Sequence, residues 1–332
     1  MMIDSVVLKD TTREEWPCIR EKLLKRINQT FGKAPVSMTP IKTEFRELER
    51  YINHELEHIR ITYHVFGDFW NEAILVLPNN LAQVKQAPAI VTIHGTNNVK
   101  GKYGMLDVPN ARKNRAYAIE LAKRGFVTIS PDQYGFGSAM LDPAYKQKFE
   151  NFYNDYPEWS LLSRRLLDAM RAVDVLCQLD YVKQDGFGVM GNSLGGCAAM
   201  YLAAFDERIK AAVLSTGISP SSTNIYRTTK GQDWITPQVV AEMKEGGIPP
   251  WDLHEVLALC APRAVLCLEP INDPHNPFTE TTFDCVKSAW QVYDLLGAAQ
   301  KLSIYVHGDG HDTVKDVRNF AYDWLTRFLC TE

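Results

Sequence analysis

The sequence has no apolar run near the ~18 residues that a membrane-spanning helix needs, and its first residues, MMIDSVVLKDTTREEW, put acidic groups where a secretory signal carries its apolar stretch. The expectation is a cytoplasmic chain that makes no use of a membrane. Excess positive charge is missing too. With 36 Lys and Arg against 40 Asp and Glu, the net charge is −4, so nucleic acid, which is bound by neutralising phosphates, is not an expected partner. Seven cysteines, at 18, 177, 197, 260, 267, 285 and 330, are odd in number and lack ligand spacing. They read as free thiols packed as small hydrophobes in a reducing compartment. Phosphate and dinucleotide signatures are also lacking: KGKYG at 100–104 does not have the GxxxxGK[ST] spacing, and GFG at 135–137 is no fingerprint. No cofactor and no metal are expected. Internal repeats and low-complexity tracts are absent.

What is present is 45% hydrophobic content in 332 residues, enough for a large core. Residues 16–31 carry a helical pattern that ends at Gly32, and Pro35 and Pro40 make the following stretch irregular. The segments 60–65 (RITYHV) and 71–77 (NEAILVL) read as a pair of strands forming an antiparallel edge. From Ala89 the rhythm changes. Strands at 89–95, 126–131, 186–190, 209–215, 264–270 and 302–306 alternate with helices at 111–124, 164–179, from 194, around 283–296 and from about 314 to 329. Short apolar strands separated by amphipathic helices imply an α/β fold with a mostly parallel central sheet and helices on both faces. We divide the chain into an N-terminal helical extension packed on the core, 1–59, and a main domain, 60–332. That domain carries insertions at about 138–163, rich in aromatic residues, and 217–258, with Trp234, Pro237, Pro249, Pro250 and Trp251, both leaving from the carboxyl ends of strands, where open sheets bind ligands. A cap over the site is one reading of them; a satellite core or a subunit surface is the other. A homo-oligomer stays open.

The most informative segment is GFGVMGNSLGG at 186–196, which puts Ser193 between Gly191 and Gly195, after an apolar strand and before the buried-helix composition of 197–205 (CAAMYLAAF). A strand reversing sharply into a helix lifts its apex side chain clear of the sheet, and the crowding admits only small residues two positions away. Ser193 is the expected nucleophile and Gly191 and Gly195 the elbow glycines. Leu194 would open the helix with an unpaired N–H able to stabilise an oxyanion.

A serine hydroxyl needs a base, and the base must be held in one tautomer. After the last strand comes HGDGHDTV, where His311 stands just ahead of the final helix, so it is the expected base, with His307 as its nearest competitor. The acid should follow the strand between serine and histidine. In LEPINDPHNPF, Asp273 lies in a loop kept extended by Pro274 and Pro277, with Glu269 as the alternative; Asp309 and Asp312 would shape the loop of His311. The N–H of Thr96, in HGTNN at 94–98, is the expected second oxyanion donor, and Asp132 would brace the loop beneath the site.

These residues carry a family resemblance. Through VTIHGTNNVKGKYG at 91–104, LAKRGFVTISPDQYGFG at 121–137, GNSLGG at 191–196 and DLHEVLALCAPRAVL at 252–266, with FGKAP at 31–35, the chain resembles the α/β-hydrolase superfamily. Within it the chain is similar to the bacterial branch related to dienelactone hydrolases and acetyl xylan esterases. The resemblance implies an α/β-hydrolase fold in which Ser193, Asp273 and His311 follow the family's order and hydrolyse a small-molecule carboxylic ester, a small acyl or acetyl ester, through a covalent acyl-enzyme. Dienelactone hydrolases proper use a cysteine nucleophile in a smaller chain, which argues against lactone opening here. A peptidase or thioesterase would use the same triad, and a non-catalytic hydrolase-like binding module would use none of it.

Overall fold

Apolar alternation along the chain builds one nine-stranded sheet in the computed structural model, which describes residues 5–96, 100–108, 114–218, 220, 241 and 251–330. Its strands are β1 (Phe45–Asn53), β2 (Leu56–Phe66), β3 (Phe69–Leu77), β4 (Ala89–Ile93), β5 (Val127–Pro131), β6 (Phe187–Asn192), β7 (Ile209–Ser215), β8 (Ala264–Pro270) and β9 (Leu302–His307). They lie in the order β1-β2-β3-β5-β4-β6-β7-β8-β9. β5, β4, β6, β7, β8 and β9 run parallel, while β1, β2 and β3 form an antiparallel meander joined antiparallel to β5. The helices are α1 (Trp16–Phe31), α2 (Leu81–Val84), α3 (Tyr117–Lys123), α4 (Pro143–Glu150), α5 (Phe152–Asp155), α6 (Leu161–Leu176), α7 (Leu194–Phe205), α8 (Leu253–Leu259), α9 (Thr279–Leu295) and α10 (Lys315–Leu329).

The two-residue period of the strands sorts their side chains onto two faces. Val91, Val189, Ala212 and Leu214 meet α1, α6, α7, α8 and α9 in one apolar cluster; Ile90, Met190, Ala211 and Val213 meet α3 and α10 in the other. The expected mostly parallel sheet covered on both sides is therefore the architecture of the chain. All sixteen residues of α6 are buried, including Arg164, Asp168, Arg171 and Asp174, because the helix lies beneath both the meander and the aromatic insertion. Its charges are paired: Arg164 with Asp168, and Asp174 with Arg171 and Arg208. Ser160 caps it by accepting from Ser163 N–H, which starts the helix three residues ahead of the expected 164.

Two further differences have local causes. The sheet begins at Phe45, within the stretch assigned to a helical extension; β1 is an edge strand with a mostly exposed, charge-rich face, so it carries no apolar period and is placed by its ladder with β2. The helix expected at 111–124 starts only at Tyr117, since Asn114 has φ +66°, which a right-handed helix does not allow; residues 111–113 lie outside the described ones. The insertion at 138–163 is helical and gathers Tyr134, Phe149, Phe152, Tyr156 and Trp159 against Phe66 and Phe69 of the β2–β3 turn. Most of the second insertion, 219, 221–240 and 242–250, lies outside the described residues. At its described end Trp251 donates to Thr30 and packs edge-on against Phe31, fastening α1 beside α7 and α8.

Candidate active site

The carboxyl ends of β4, β6, β7, β8 and β9 lie along one edge of the sheet, and the loops leaving them carry the expected residues, of which His311 and Asp273 are in contact. Ser193 follows β6 directly, with φ +56° and ψ −120°, a strained conformation for a residue with a Cβ. It is held from behind: its N–H donates to the Ser215 carbonyl at 2.8 Å and is 3.2 Å from Thr216 Oγ1. The elbow glycines are required by contact. A Cβ on Gly191 would stand 2.1 Å from the Gly195 carbonyl oxygen, and one on Gly195 2.1 Å from that of Ile93. One on Gly196 would meet the Ser215 carbonyl at 2.6 Å. Leu194 is the first residue of α7, so its N–H has no acceptor one turn back within the helix.

At the ends of β8 and β9 the candidate base and acid are paired: His311 Nδ1 lies 2.7 Å from Asp273 Oδ2, with the carboxylate side chain 1% exposed and the imidazole 11%. Burial pushes the Asp273 carboxyl up, but the hydrogen bonds from His311 and from the His275 N–H more than offset this and hold it below the usual carboxylate range. An ionised Asp273 accepts the Nδ1 proton and leaves Nε2 of His311 as the basic nitrogen. The ring of His275 packs edge-on against His311, centroids 4.6 Å apart. Asn272 ties the two loops, donating to the Gly308 carbonyl and accepting from Gly310 N–H, both at 2.9 Å. Glu269, the alternative acid, is buried at the end of β8 and accepts from the Ile218 N–H. His307, the competing base, is a buried strand-end histidine near Asp309, and its imidazole is held below the usual range mainly by burial.

Thr96 sits exposed on the loop after β4, two residues beyond a histidine of fixed tautomer. His94 Nδ1 donates to the Gly95 carbonyl at 2.7 Å, and Nε2 accepts from Gln133 N–H at 3.1 Å; the Gln133 side-chain amide donates to the His94 carbonyl at 2.6 Å. Burial lowers the His94 pKa and keeps the ring neutral in this role. Beneath that loop Asp132 accepts from both the backbone N–H (2.6 Å) and the ammonium (2.7 Å) of fully buried Lys102, which also reaches Glu72 at 3.0 Å. Burial opposes the Lys102 charge, and the two carboxylates outweigh it, raising its pKa. Asp132 thus braces the loop, and Lys102 of KGKYG is committed to protein carboxylates.

His94, Gln133, Asn192, Ser215, Thr216 and His275 support the site without having been picked out from the chain. Asn192 inside the elbow segment, His94 at the head of HGTNN and His275 just past Asp273 had positions that pointed to the site; Gln133, Ser215 and Thr216 are ordinary residues until the strands align. No helix among the described residues is long and apolar enough to cross a membrane.

Comparison with known proteins gives three kinds of likeness. The family profile described as glucuronyl esterase, fungi, matches residues 123–297, more than half of the chain, a span that includes β5, the elbow and Asp273. YtaP of Bacillus subtilis (strain 168), named as a hydrolase without a stated substrate, is 25% identical over 321 residues, covering 93% of this chain and 98% of its own. A glucuronoyl esterase from Solibacter usitatus superposes with a TM-score of 0.74 at 18% identity, covering 98% of this chain and 97% of its own. A carbohydrate esterase family 15 glucuronoyl esterase from Caldicellulosiruptor kristjansonii superposes with a TM-score of 0.69 at 22% identity, covering 99% and 91%. At such identities the superpositions speak for a shared fold. The relation runs to carbohydrate esterases of this kind rather than specifically to the dienelactone hydrolase branch.

Proposed function

The chain belongs to the glucuronyl esterase family and is a serine-dependent carboxylic-ester hydrolase, and on that premise we propose that it cleaves esters whose acyl half is a uronic acid, with Ser193 as nucleophile, His311 as base and Asp273 as the carboxylate that orients the base. The single observation that carries the residue roles is the 2.7 Å pair of His311 and Asp273, set at the same edge of the sheet as a serine with φ +56°. Nδ1 of His311 is occupied by Asp273, so Nε2 takes the Ser193 proton as Oγ attacks the ester carbonyl. The N–H groups of Leu194 and Thr96 receive the developing oxyanion; removing one such donor typically costs about 2.7–4 kcal/mol of transition-state stabilisation. His311 then protonates the leaving alcohol and activates the water that frees the acid.

A uronic ester is favoured over the small acyl or acetyl ester expected from the sequence because the family match is to glucuronyl esterases. The test compares a benzyl ester of glucuronic acid, p-nitrophenyl acetate and acetylated xylose with wild type and Ser193→Ala. The expected result is a kcat/KM at least tenfold higher on the glucuronate ester and loss of all three activities in Ser193→Ala. A preference for the acetyl substrates would return the small-acyl reading. A folded wild type that turns over no ester and takes no fluorophosphonate label would sink the catalytic one.

A further inference from the structure

A buried hydroxyl bridge joins the residues flanking Ser193 to those flanking His311. On the nucleophile side, Ser193 N–H is held by the Ser215 carbonyl and Thr216 Oγ1, and Asn192 Nδ2 donates to Thr216 Oγ1 at 2.8 Å. On the base side, Arg115 donates to the His311 carbonyl at 2.9 Å and to Asp312 Oδ1 at 2.6 Å, while Asn114 Nδ2 donates to Asp312 Oδ2 at 2.7 Å. Thr313 connects the halves: its Oγ1 lies 2.8 Å from the Tyr117 hydroxyl, 3.3 Å from an Arg115 nitrogen and 2.7 Å from Ser215 Oγ. Thr313, Ser215 and Tyr117 are each fully buried.

A hydroxyl has one proton and two lone pairs. Tyr117 donates to Thr313 Oγ1, and the 2.7 Å contact of Thr313 Oγ1 with Ser215 Oγ is a hydrogen bond in which either hydroxyl can donate. We propose that Thr313 is a positioning residue: through Ser215 it sets the separation of the loop carrying His311 from the strand end carrying Ser193, and so the quality of the proton transfer between them. The inference rests on the roles proposed for Ser193 and His311. The Asp273 pair fixes His311 relative to β8, and α10 packs its apolar face on β6 and β7 from Val317 onward, so the bridge is the polar link that reaches from the loop just ahead of that helix to the strand end beside Ser193.

The experiment compares wild type, Thr313→Val, Thr313→Ser, Ser215→Ala and the Thr313→Val/Ser215→Ala double variant, reading kcat and KM on an ester and the rate of fluorophosphonate labelling, all well below the melting temperature of each. Thr313→Val keeps shape and removes the hydroxyl. It is expected to lower kcat and the labelling rate at least tenfold with KM within twofold, Thr313→Ser to recover most of both, and the double variant to be no worse than the poorer single one. A purely structural Thr313 would lower the melting temperature and leave kcat and labelling within twofold of wild type, which would overturn the inference; a fully additive double variant would do the same. If Thr313→Val does not fold, Ser215→Ala carries the same test, and wild-type rates in it overturn the proposal. Wild type that never labels removes the underlying serine mechanism as well, whereas wild type that labels alongside an unimpaired Thr313→Val removes the positioning role alone.

Discussion

Gly195→Ala tests the geometry of the elbow most directly. The new Cβ would lie 2.1 Å from the Ile93 carbonyl oxygen and 2.7 Å from that of His94, both backbone atoms at the root of the loop that carries Thr96. Ordinary contact begins near 3.4 Å, so the elbow and that loop must part by roughly 1 Å, and neither can yield by turning a side chain. A shift of that size between the proposed nucleophile and the proposed oxyanion donors is worth about 10²-fold in rate, or about 2.7 kcal/mol of barrier, while overpacking costs about 1–3 kcal/mol of stability. The assay is kcat/KM on an ester at a temperature where circular dichroism shows the variant folded. A loss of about 10²-fold, carried mainly by kcat, is expected. Turnover within threefold of wild type would refute the claim that close backbone approach at Gly195 aligns the two halves of the site. Gly297→Ala is the contrast: φ there is +70° with nothing within 4 Å, so about 1–2 kcal/mol of stability should be lost with kcat/KM unchanged.

Asp273→Asn should lower kcat far more than Glu269→Gln, because Asp273 is hydrogen-bonded to His311 while Glu269 accepts from the Ile218 N–H; the opposite ranking in steady-state assays would move the acid to Glu269. Arg164→Met leaves the buried Asp168 carboxylate without its cation, so chemical denaturation should show a loss of about 3–5 kcal/mol. His94 is held below its ordinary pKa first by burial, so its contribution to stability is full above about pH 6.5, where the unfolded ring is neutral too, and is lost as pH falls towards the lower folded value. Melting curves from pH 7.5 down to 4.5 should fall less steeply for His94→Asn than for wild type; parallel curves would contradict the neutral, doubly bonded ring.

Local information was sufficient wherever a segment's own pattern decides its state. Apolar strands such as Val127–Pro131 and Ile209–Ser215, the stop of α1 at Gly32 and the small-residue turn around Ser193 were legible because periodicity, left-handed glycine and steric crowding act over a few residues. By itself the sequence therefore determined a mostly parallel sheet and a small-residue strand-to-helix turn at Ser193, and it offered Asp273, with Glu269 as the alternative, as the candidate acid. Tertiary structure alone decided that Asp273 meets His311, that the charge-rich segment Phe45–Asn53 pairs as an edge strand, and that Arg208 reaches the buried Asp174 of α6. It alone brought Thr313 to Ser215, 98 positions apart. The physical reason is common to all of these: hydrogen bonds and ion pairs between distant segments leave no period in either segment, and they exist only once apolar burial has aligned the strand ends on one edge.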